Sequence, residues 1–226
     1  MSRQAVADGW PLLLGALLLV ALAVTDADRR LATALFYDPA TALWVGRGNL
    51  WMEEVLHTGG RYLIRFIAVL ALGGWLASFR YAALAVWRRP LGYIAACMAL
   101  VPLIVGGMKQ VTHVHCPWDL AGFGGQQTYL PWYALSLDGL SSSGRCFPGA
   151  HSSSAFSLFG FFFLWRGQQP TWARAACIVT LLIGVLFSVA QHSRGAHFLS
   201  HDVVSAMIAW AMCAGLYRLV FRDAPR

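Results

Sequence analysis

The chain has 226 residues, 58% of them hydrophobic and only 12% charged, with a formal net charge of +7. Ordinary soluble domains carry about 25% charged residues, so disorder, a coiled coil and most soluble enzymes are excluded, and lipid is indicated as the solvent of most side chains. The basic residues stand singly between apolar runs, which argues for topology signals and an anionic ligand and against nucleic acid.

Six apolar runs approach the roughly 20 residues that a helix needs to cross hydrocarbon. They lie near residues 10–25, 60–79, 90–108, 148–165, 174–191 and 202–221. The expected fold is therefore all-α: an integral membrane six-helix bundle, one domain over residues 1–226. The first run follows Arg3 and ends near Ala21-Leu22-Ala23, which resembles a cleavage site. Its length, and the odd number of spans that removal would leave, favour a retained helix. Residues 26–58 follow, and Trp44, Leu50, Trp51 and Val55 suggest an interfacial helix there. The fourth run has the shortest apolar part and reaches span length only if its helix begins at Pro148, a residue suited to a first helical turn.

Positive residues orient the bundle. With the N-terminus cytoplasmic, the cytoplasmic segments carry Arg3, Arg80, Arg88, Arg89, Arg166, Arg174, Arg218, Arg222 and Arg226 against two acids, Asp8 and Asp223. The other side holds most acids, among them Glu53, Asp119, Asp138 and Asp202, and the long loop 110–147. The expected location is a bacterial inner membrane, multi-pass, with this loop lying over a site on the periplasmic side. All seven histidines, His57, His113, His115, His151, His192, His197 and His201, fall on that same side. The only lysine, Lys109, falls with them.

Three segments should meet there: KQVTHVHCPWD at 109–119, GRCFPGAHSSS at 144–154 and QHSRGAHFLSHD at 191–202. They bring cations and imidazoles together. Helix starts at Pro148 and near Ser200 would add N–H groups, a combination suited to phosphate. Cys116 and Cys146 flank the loop. In an oxidising compartment they are candidates for a disulfide, and a metal pair with His113 and His115 is the competing reading. Cys97, Cys177 and Cys213 read as packing residues inside spans.

Together the three segments resemble the tripartite signature of the type-2 phosphatidic acid phosphatase family, membrane lipid phosphatases related to haloperoxidases. The pattern is Lys-x6-Arg-Pro, then Pro-Ser-Gly-His, then Ser-Arg-x5-His-x3-Asp. Lys109, Pro117, Pro148, His151 and His197 match it. Cys116 stands at the first arginine, Gly149 at the serine, Ala150 at the glycine, Gln191 at the second arginine and His201 at the aspartate. Arg194 and Asp202 lie close by, as re-registered substitutes.

The resemblance implies that His197 attacks phosphorus and forms a phosphohistidine, with Asp202 or else His201 fixing its tautomer. His151 then serves as general acid. Lys109, Arg194 and the backbone N–H of Gly149 hold the phosphoryl oxygens, and Arg145 supplies the cation missing at Cys116. No cofactor and no metal ion is called for. The substrate would be a membrane lipid phosphate or diphosphate. The alternative is a lipid or anion transporter or binding protein that reuses the site without chemistry. Ser152, Ser153 and Ser154 read as packing or capping residues, and neither His57 nor His192 receives a role. Which lipid is bound and the oligomeric state are left open.

Overall fold

The computed structural model describes residues 3–134 and 144–222. Asp138, Asp223 and Arg226 of the charge pattern lie outside these residues. The helices are α1 (Arg3–Thr25), α2 (Ala27–Leu35), α3 (Gly60–Ala77), α4 (Arg88–Thr112), α5 (Ala150–Phe156), α6 (Phe159–Trp165), α7 (Pro170–Ser193) and α8 (Leu199–Val220). A π-helical stretch, Trp51–Gly59, leads into α3, and a 3₁₀ turn, Ala82–Trp87, leads into α4.

Among the described residues, five helical stretches are long and apolar enough to cross a membrane: α1, the π-helix with α3, α4 with its flanking turns, α7 and α8. Rows of large apolar side chains on them are exposed, such as Leu13, Leu17 and Val20 on α1 or Ile178, Leu182 and Val185 on α7. In water such rows would be costly; against lipid tails they are the solvated faces.

The expected fourth span is not one helix. It is α5 and α6, seven residues each, broken at Ser157 and Leu158. The serines explain the break. Ser153, Ser154 and Ser157 each return their hydroxyl to the carbonyl three residues back, at 2.8, 2.6 and 2.6 Å. Leu158 and Gly160 then form tight i→i+3 bonds with Ala155 and Ser157. Such back-bonding competes with the α-helical ladder and bends it. The helix also starts at Ala150, two residues later than expected.

The two short helices are packed between α4, α7 and α8. Phe156, Phe159 and Phe163 fill the core there with Tyr93, Val101, Phe187 and Trp210. At the far end of α8, Asp8 of α1 receives Arg166 and also Arg218, the latter at 2.7 Å, while Trp210 Nε1 donates to its backbone carbonyl at 2.9 Å. These ties make α1 part of the bundle.

A second, smaller core covers the opposite end of α8, formed by Ala32, Tyr37, Trp44, Leu120, Phe123 and Phe198. Trp44 is not on an interfacial helix. It sits in β2 (Leu43–Trp44), paired antiparallel with β1 (Tyr37–Asp38), and is buried. Trp51 and Val55 belong to the π-helix.

Candidate active site

The three sequence segments are stitched together by the backbone at this end of the bundle. Trp118 N–H donates to Gly195 O at 2.9 Å, joining the first to the third. Cys146 N–H donates to Val114 O at 2.9 Å, and Thr112 Oγ1 to Phe147 O at 2.6 Å, joining the first to the second. Gly149 N–H donates to His201 O at 3.1 Å, and Ser205 Oγ to Gly149 O at 2.8 Å, joining the second to the third.

His197 lies in the turn between α7 and α8. Gly195 opens that turn with φ +75°, where a β-carbon would run into Trp44, so the position needs glycine on both conformational and steric grounds. The turn delivers His197 onto the first turn of α8. Its Nδ1 lies 3.0 Å from Asp202 Oδ1. The other oxygen of Asp202 lies 2.7 Å from His192 Nε2, and Ser152 Oγ donates to Oδ1 at 2.5 Å. Asp202 thus collects two imidazoles and a hydroxyl in a buried setting. His201 does not share this contact. Its ring centroid is 5.8 Å from that of His197, and it packs edge-on to Phe147 and Phe198. His192 and Ser152, given no chemical part from sequence, are partners of Asp202.

Burial holds the His197 imidazole below its ordinary value of 6.5, with Asp202 opposing and Lys109 adding to the shift. The ring is therefore neutral at neutral pH. With Nδ1–H directed to the carboxylate, the Nε2 lone pair is the free nucleophilic position.

His151, on α5, stacks on Phe187 at 4.3 Å, and its buried Nε2 has no hydrogen-bond partner among the described residues. Lys109 is half-buried at the end of α4. Arg194 donates from Nη1 to Gln191 Oε1 at 3.3 Å, and its Nε lies 3.6 Å from Glu53. Arg145 is exposed beside Cys146.

Two expectations about backbone donors are corrected. The N–H of Gly149 is taken by His201 O and does not point at a ligand. The N–H of Ser200, at the start of α8, is taken by the carboxylate of Asp28 at 3.0 Å, because α2 packs its buried Asp28 against that helix end.

Gly149 has a different use. A β-carbon there would collide with Asp202 Oδ1 and approach Ser152 Oγ at 2.7 Å and His197 Nδ1 at 2.9 Å. We expect Gly149→Ala to disturb the His197–Asp202 pair, lowering stability by about 1–3 kcal/mol, the usual cost of overpacking. Thermal melting in detergent measures it, and an unchanged melting temperature would contradict the packing argument.

Cys116 and Cys146 form a disulfide with Cα atoms 5.0 Å apart, which leaves no thiolate for a metal pair with His113 and His115. Closing a loop of 30 residues restricts the unfolded chain by about 3–4 kcal/mol in the entropy model. Replacing both cysteines by serine should therefore lower stability by that order. Maleimide labelling of the wild type before and after reduction checks the bond itself: free labelling of Cys116 and Cys146 without reductant would contradict it.

A cleft of about 180 Å³ adjoins the site, lined by Asp28, His192 and His197 together with the apolar Leu31, Ala32, Leu35 and Phe36. It is mostly apolar.

His57, also left without a role, stands beside His151 with ring centroids 4.6 Å apart and meets Gln191 at 2.6 Å. No spacing ties it to the motifs. The one sequence signal was that it shares a predicted side with the other histidines.

A family model described as PAP2 superfamily matches residues 90–225 of the chain. No curated protein and no solved structure matches it.

Proposed function

The chain belongs to the PAP2 superfamily, and on that premise we propose that it removes, or transfers, phosphate from a lipid phosphate or diphosphate at the periplasmic face of a bacterial inner membrane. The observation that carries this reading is the pair His197 Nδ1–Asp202 Oδ1 at 3.0 Å, which leaves Nε2 of a neutral imidazole free.

In the proposed reaction the Nε2 lone pair attacks phosphorus, the bond from phosphorus to the leaving oxygen breaks, and a phosphohistidine forms. Asp202 stabilises the ring as it becomes cationic, because Nδ1–H is already directed at the carboxylate. His151 protonates the leaving oxygen. Water then attacks phosphorus, the P–N bond breaks, and His151 takes the proton from that water. Lys109 and Arg194 offset the charge developing on the phosphoryl oxygens, and the exposed Arg145 attracts the anionic headgroup. The apolar cleft beside His197 supports a substrate with an apolar tail.

A binding or transport protein without chemistry is the second reading. It draws support from the two family arginine positions held here by Cys116, in a disulfide, and Gln191.

The deciding experiment is a phosphate-release screen with purified protein in detergent. Phosphatidate, phosphatidylglycerol phosphate, polyprenyl diphosphate and phosphorylated lipid A serve as substrates. Release from at least one, undiminished by EDTA, is expected. Lipid binding without release from any of them would favour the second reading.

A further inference from the structure

The family model matches from residue 90 onward, yet a residue well before it reaches the site. The π-helix Trp51–Gly59 carries His57 to within 4.6 Å of His151, centroid to centroid. Short π-helical stretches are rare and often accompany functional sites. Nδ1 of His57 lies 2.6 Å from Nε2 of Gln191, the residue at a family arginine position.

The hydrogen-bond roles here are determined by elimination. A guanidinium has only donors, so the oxygen of the Gln191 amide faces Arg194, at 3.3 Å, and its nitrogen faces His57. That nitrogen only donates. Nδ1 of His57 therefore accepts, and the ring proton sits on Nε2. Arg194 is in turn held near Glu53, on the same π-helix, at 3.6 Å. The chain Glu53–Arg194–Gln191–His57 leaves Nε2–H of His57 without a hydrogen bond among the described residues, on a ring beside that of His151, whose buried Nε2 likewise has no partner among them.

We propose that His57 is a phosphoryl-binding residue of this site, presenting its Nε2–H to a phosphoryl oxygen as a neutral donor where the family pattern places a guanidinium. The proposal rests on the reading of the site as a phosphate site. An oxygen seated between the two imidazoles would accept from His57 Nε2–H, and from His151 Nε2 when that ring is protonated to act as the general acid. The chemical class of ligand is a phosphate monoester, a diphosphate or inorganic phosphate, recognised through its oxygens.

The test titrates inorganic phosphate into the purified full chain by calorimetry. His57→Phe keeps an aromatic ring against His151 but has no donor. His57→Gln keeps an N–H at similar reach, and Gln191→Leu removes the anchor. Loss of a hydrogen bond to a charged group should weaken phosphate binding by about 10- to 100-fold in His57→Phe. His57→Gln should recover most of the loss, and Gln191→Leu should fall between them. Wild-type affinity in His57→Phe overturns the proposal. If that variant is misfolded by circular dichroism, wild-type affinity in Gln191→Leu overturns it instead. A wild type that binds phosphate but releases none from any lipid refutes the catalytic reading and leaves the His57 assignment to be judged by the same titrations. A wild type that binds no phosphate refutes both.

Discussion

His197→Ala should abolish phosphate release, by roughly 10⁴-fold or more, the order seen when a covalent nucleophile is removed. The side chain lies in a turn and not within a spanning helix, so the bundle should still assemble in detergent with its helical circular dichroism intact. Phosphohistidine, trapped by an alkaline denaturing quench that spares the acid-labile P–N bond, should be present in the wild type after a lipid diphosphate is added and missing in the variant. Full activity in His197→Ala would end the nucleophile assignment.

The pH dependence has a definite sign. Burial holds the folded imidazole below 6.5, so the folded protein binds fewer protons than the unfolded chain between its own lowered pKa and 6.5. The contribution of His197 to stability is full above about 6.5 and declines as pH falls through that window. The acid limb of activity should likewise lie below the ordinary histidine value, since the nucleophile must be neutral.

Asp202→Asn should cost about 10³- to 10⁴-fold in turnover, the scale expected when a histidine is forced into the wrong tautomer. The carboxylate meets three groups: His197 Nδ1 and Ser152 Oγ hydrogen-bond to Oδ1 at 3.0 and 2.5 Å, and His192 Nε2 lies 2.7 Å from Oδ2. An amide has one oxygen and one NH₂. Whichever way it turns, one of these groups faces a donor. If that group is His197, its proton moves to Nε2 and the attacking lone pair is lost. His201→Ala, by contrast, removes a ring packed on Phe147 and Phe198 and leaves the His197 contact in place. Its turnover should stay within about 10-fold of wild type if the fold holds. If His201→Ala proved as damaging as Asp202→Asn while melting normally, the tautomer role would belong to His201.

Much of this protein was legible in its sequence. Span length, the scarcity of charge and the placement of arginines identify a membrane bundle, because lipid admits only backbone that bonds internally and apolar side chains outside. The order Lys109, His151, His197, each beside the end of an apolar run, already assigns these residues to one end of the bundle. Cys116 and Cys146 were legible as a pair because no other cysteines lie outside the runs.

Other features were decided only in three dimensions. Residues 201 and 202 are adjacent in sequence but point about 100° apart on a helix. Which of them meets His197 depends on how the Gly195 turn enters α8. The N–H groups of Gly149 and Ser200 look free when each helix start is taken alone, but His201 O and Asp28, 52 and 172 residues away in sequence, occupy them. The single span expected at 148–165 is two helices because serine hydroxyls compete locally with the helical ladder. His57 and His192 belong to the site through a π-helix and a shared carboxylate, and neither leaves a spacing in the sequence. Periodicity and motif spacing encode local geometry. These partners come from different elements, and only packing sets the distance between them.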